Sequence, residues 1–104
     1  MDVIRWDPDR DGPLSESSMR RKLTAMGYSV SRYDYPAGTC FDTHAHSVEK
    51  IDAVLEGRFR ITMGNDSAVL EAGDAVLVPR GAAHSAEVVG RETVVSLDAI
   101  RQDP

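Results

Sequence analysis

The chain has 104 residues, 41% of them apolar and 28% charged, a size and balance that fit one soluble globular domain over residues 1–104. Its formal net charge of -5 and pI of about 5.0 argue against nucleic acid as a partner, because a phosphate-binding surface needs a basic patch. The lone cysteine, Cys40, rules out an intrachain disulfide, and no apolar run reaches the roughly 18–20 residues that span a bilayer. The segment from Met1 to Asp7 lacks the cationic start and apolar centre of a signal peptide, so a cytoplasmic protein with no membrane partner is expected.

Residues 1–14, which include Asp7-Pro8-Asp9-Arg10-Asp11-Gly12-Pro13, read as a polar, turn-rich arm. Residues 15–26 read as the one short helix. Ser15 is a suitable N-cap, Met19, Leu23 and Met26 recur at helical spacing, and Gly27 is placed to end it. The basic run Arg20-Arg21-Lys22 then lies on that helix as a solvated face. From Tyr28 the texture becomes β-prone, and residues 28–100 are expected to form a barrel or sandwich. Expected strands cover residues 28–35, 50–56, 58–63, 67–71, 75–79, 84–89 and 92–98, separated by turn signals such as Gly64-Asn65-Asp66 and Ala72-Gly73-Asp74.

The chain has three histidines. Two form His44-Ala45-His46, a spacing that puts both imidazoles on one face of a strand. Imidazole is the commonest protein metal ligand near neutral pH, although an isolated H-x-H is a weak signal, more often a pair of exposed or hydrogen-bonded histidines. The surroundings add weight. Gly38, His44, His46 and Gly57 stand in the order G-x5-H-x-H-x10-G, and Gly73, Pro79, Gly81 and His84 in the order G-x5-P-x-G-x2-H, with 15 residues between Gly57 and Gly73.

This arrangement resembles the two-motif signature of the cupin superfamily. The resemblance implies an all-β, cupin-type double-stranded β-helix (a jelly-roll barrel) with one short N-terminal helix. It also implies a divalent transition metal (iron, zinc, nickel or manganese) held by His44, His46 and His84, and pairing as a homodimer. The match fails where metal-binding cupins carry a glutamate ligand, since Lys50 stands there, and Val88 stands at the position of the second motif's asparagine.

Alternation from His46 turns Val48, Lys50 and Asp52 inward and Glu49 outward. Three arrangements are compatible with Lys50. A three-His site can use Lys50 as a catalytic cation facing substrate; Asp52 or a shifted Glu49 can replace the missing carboxylate; or the ammonium can exclude metal. Cys40 and Asp42 share parity with the histidines and are candidate pocket residues, Cys40 as ligand or small buried apolar group, Asp42 as acceptor from a ligand imidazole. Arg60, Tyr33, Tyr35 and Phe59 lie on neighbouring strands, where parity alone does not place them.

The function expected is that of a metal-binding small cupin, an enzyme of dioxygenase-like or isomerase-like type acting on a small anionic, oxygen-bearing metabolite. The alternative is a non-catalytic small-molecule-binding module, metal-free because of Lys50.

Overall fold

The computed structural model describes residues 1–102. Eleven elements follow in order: β1 (Val3–Arg5), α1 (Pro8–Asp11), α2 (Glu16–Ala25), β2 (Tyr28–Tyr35), β3 (Cys40–His44), β4 (Lys50–Glu56), β5 (Phe59–Met63), β6 (Asp66–Leu70), β7 (Asp74–Val78), β8 (His84–Val88) and β9 (Val94–Arg101). The strands form two antiparallel sheets, one ordered β1-β7-β4-β9-β2 and the other β3-β8-β5-β6. This is the all-β jelly roll expected from the two motifs. Among the described residues, no helix is long and apolar enough to cross a membrane.

The middle strands of the five-stranded sheet, β7, β4 and β9, are covered on both faces. On one side Ile51, Ala53, Leu97 and Ala99 pack against Met19 and Leu23 of α2, with Trp6 and Leu14 closing the edge. On the other side Val54, Val76, Val78 and Val94 meet Phe59, Ile61, Leu70 and Val88 of the four-stranded sheet. Ser15 caps α2 as expected, accepting from Ser18 N at 3.1 Å while Ser18 Oγ accepts from Ser15 N at 2.8 Å.

The N-terminal segment is not an arm. Val3, Ile4 and Arg5 pair with Val76, Ala75 and Asp74, which makes β1 the edge strand beside β7. Three residues are too few to show a period, so packing decides this strand. Helix α1 did have a signal in the sequence, Asp7 as N-cap before Pro8 at the first helical position. The last strand also starts later and runs further than expected, to Arg101, with Asp98 inside it.

Two glycines show how tightly the barrel turns are built. Gly57 has φ +81°, and a Cβ there would stand 2.7 Å from the Thr93 carbonyl oxygen, whereas Gly64 has φ +62° with open space around it. Gly64→Ala is therefore expected to cost about 1–2 kcal/mol, the left-handed penalty alone. Gly57→Ala adds a backbone clash and should cost about 3 kcal/mol or more. Urea unfolding of the two variants checks this; equal midpoints would contradict it.

Candidate metal centre

β3 and β8 run side by side with His44 directly opposite His84, and His84 begins β8 with only 3% of its surface exposed. His46 lies just beyond the end of β3 rather than on it. Its carbonyl accepts from Gly81 N at 2.8 Å, which ties this segment to the turn that leads into His84. The three rings converge, with centroids 4.8 Å (His44–His46), 4.4 Å (His44–His84) and 5.2 Å (His46–His84) apart. One ring nitrogen from each falls within 4.8 Å of the others, a group able to hold one ion among the described residues.

The donor set suits a metal. His44 Nδ1 lies 2.6 Å from the Asp42 carbonyl and His84 Nδ1 lies 2.9 Å from the Ala82 carbonyl. Carbonyls only accept, so each Nδ1 carries a proton, and it is Nε2 that the neutral ring would offer to a ligand. His46 Nε2 is buried with no hydrogen-bond partner among the protein groups, and buried polar atoms in folded proteins are nearly always paired. Burial, then the Lys50 charge and the other two imidazoles, lowers the His46 pKa and so favours the neutral ring that a metal needs.

The histidines line a cavity of about 240 Å³ together with Lys50, Asp52, Ser96 and Asp98 on one side and Tyr35, Phe41, Phe59 and Ala86 on the other. Lys50 is 7% exposed. Its Nζ lies 2.8 Å from Asp98 Oδ1 and 3.6 Å from Asp52. Asp98 Oδ1 makes no aligned hydrogen bond, so the closer contact is one of charge with charge. Burial alone would lower the Lys50 pKa, but Asp52 and Asp98 outweigh it and the ammonium is held protonated. Asp52 and Asp98 are directly opposed across β4 and β9. Burial, with repulsion from Asp98, raises the Asp52 pKa despite the attraction of Lys50.

Several candidates fall elsewhere. The register shifts between Phe41 and His44, so Phe41 rather than Cys40 or Asp42 shares the inward side with His44. Cys40 is exposed, on an outer groove with Arg60, whose guanidinium pairs with Glu87. Asp42 does serve His44, through its carbonyl rather than its exposed carboxylate. Glu49 faces away and accepts from the Tyr28 hydroxyl, and Tyr33 is 48% exposed. Tyr35, Phe59 and Asp52 do line the cavity. Sequence reasoning missed Asp98, Ser96 and Phe41. The signal for Asp98 and Ser96 was there, since both alternate with the apolar Val95, Leu97 and Ala99.

A family model described as a cupin domain matches residues 31–100. An uncharacterized protein of Streptomyces coelicolor is 36% identical over 85 residues, 81% of either chain. Among solved structures, the DMSP lyase DddQ from Ruegeria pomeroyi aligns with a TM-score of 0.66 at 28% identity, over 74% of this chain and 39% of the lyase. An oxalate oxidase in complex with the substrate analogue glycolate aligns with a TM-score of 0.65 at 26% identity, over 74% of this chain and 43% of the oxidase. This chain thus spans less than half the length of either enzyme.

Tyr35 offers a probe of the cavity. Burial first, then the nearby Asp98 and Asp52, pushes its phenol from 10.0 up to about 12. A raised pKa in the folded state stabilises the fold fully below about pH 10, and that contribution is lost as pH rises through about 12. Tyrosinate absorbance should show a late phase near pH 12 that is missing in Tyr35→Phe; superimposable titrations would contradict the burial of this phenol.

Proposed function

The chain belongs to the cupin family, and from that footing we propose that it is a metal-dependent enzyme acting on a small, anionic, oxygen-bearing metabolite. The observation that carries this reading is the convergence of three imidazoles, His84 buried and His44 and His46 partly so, one with an unpartnered Nε2, on a cavity of about 240 Å³. His44, His46 and His84 would hold a divalent transition metal. Such an ion supplies Lewis acidity and open positions for an oxygen donor. Iron, zinc, nickel and manganese all accept imidazole, so the reading spans dioxygenase-like and isomerase-like chemistry.

The protein's own groups define the rest. The carbonyls of Asp42 and Ala82 fix the faces of two ligand rings. Tyr35, Phe41 and Phe59 form an aromatic wall that keeps water from one side of the cavity and packs against a carbon skeleton. Lys50 has three N–H donors. Asp98 and Asp52 are two carboxylate neighbours of the ammonium, so a third donor is left for an oxygen of the bound molecule.

Charge accounting favours an anion. Three neutral imidazoles leave a divalent ion its full charge, Lys50 and Asp98 cancel, and the raised pKa of Asp52 moves it toward neutrality. An anionic oxygen donor is the ligand that balances what remains. The glycolate-bound oxalate oxidase, 26% identical over the shared region, supports a small acid as the ligand class. A metal-free binding module is the competing reading, and it rests on repulsion by an ammonium that Asp98 instead balances.

Elemental analysis of the purified protein after exposure to divalent metal tests the proposal. About one equivalent per chain is expected in wild type. In His84→Ala affinity should fall by on the order of a hundredfold or more, since loss of a ligand exceeds the 10–100-fold cost of losing a group that merely orients one. Equal metal in both proteins would refute the three-His site.

A further inference from the structure

Lys50 poses a question that a three-His site does not answer: a permanent cation lines the cavity that is to hold another cation. The barrel supplies a counter-charge from a different strand. Asp98 projects from β9 to within 2.8 Å of Lys50 Nζ, and only 9% of the Lys50 side chain is exposed. We propose that Asp98 is a positioning residue for the metal centre, one that holds the Lys50 ammonium and cancels its field so that the three histidines can bind a divalent cation. The proposal rests on the three-His reading and extends it to a pair of residues outside the ligand set.

The argument is electrostatic and directional. In a partly buried site of effective dielectric near 20, an uncompensated unit charge several ångströms from a dication weakens binding by on the order of tenfold or more. Removing the carboxylate frees that charge; removing the ammonium frees a carboxylate, which attracts the ion. Asp52 adds a second carboxylate 3.6 Å from Nζ, directly opposite Asp98 across the β4–β9 ladder, but Asp98 is the nearer of the two counter-charges. The two single substitutions must therefore move metal affinity in opposite directions, whereas a purely structural pair would move both the same way or neither.

The test measures Zn²⁺ affinity of the full chain near neutral pH by competition with a chromophoric chelator, with circular dichroism to confirm folding. Asp98→Asn should bind Zn²⁺ at least about tenfold more weakly than wild type, Lys50→Met more tightly, and the double variant should return to within about threefold of wild type. If Asp98→Asn does not fold, Lys50→Met and the double variant carry the test, since the proposal requires the first to be tighter and the second to revert. Folded Asp98→Asn within about twofold of wild type, or single variants that shift the same way, overturns the proposal while leaving the histidine site standing. Wild type that binds no Zn²⁺, or binds it as His84→Ala does, overturns the three-His reading and this proposal with it.

Discussion

The middle of the five-stranded sheet, strands β7, β4 and β9, is covered on both faces and has no wet side on which to place a charge, and the rest of this structure depends on that constraint. The five-stranded sheet packs Ile51, Ala53, Leu97 and Ala99 under α2 and Val54, Val76 and Val94 against the opposite sheet. Polar side chains that alternate with these residues must enter the barrel interior. Lys50, Asp52, Ser96 and Asp98 do so, and all four line one cavity. Burying ions is costly unless they are paired, and the ladder of β4 against β9 places the partners side by side. The polar half of the cavity is thus a product of strand register.

The facing sheet supplies what the polar half needs. β3 and β8 bring His44 opposite His84, and a register shift turns Phe41 inward beside them. A second interaction, Gly81 N to the His46 carbonyl, closes the group from outside any strand. Two imidazoles are oriented by backbone carbonyls, so ligand geometry rests on the main chain, which moves less than side chains do. The aromatic edge contacts among Tyr35, Phe41 and Phe59 complete the enclosure. The imidazole cluster, ion pair and aromatic wall come from both sheets, so the cavity exists only once they have packed.

Much of this was legible in the residues. Turn glycines and prolines, with alternating runs between them, mark β2 and β4 to the residue, and the two histidine motifs point to the ligand group and the jelly roll together. What was not legible has a common physical origin. Parity counts from His44 assume a regular strand, so a single shift in register exchanged Phe41 for Cys40 and Asp42. A charged residue near the end of an apolar run reads as a strand end, yet Asp98 continues β9 because its ion partner lies across the ladder. β1 carries no period of its own and forms only because β7 offers an edge.

The central claim is that three imidazoles, and neither the thiol of Cys40 nor the carboxylate of Asp52 or Glu49, bind the ion. X-ray absorption of the zinc-loaded protein reads that ligand set directly. The account predicts a nitrogen and oxygen shell at about 2.0–2.1 Å with the multiple scattering of three imidazoles. A sulfur scatterer at about 2.3 Å, or a shell with one imidazole or none, would contradict it.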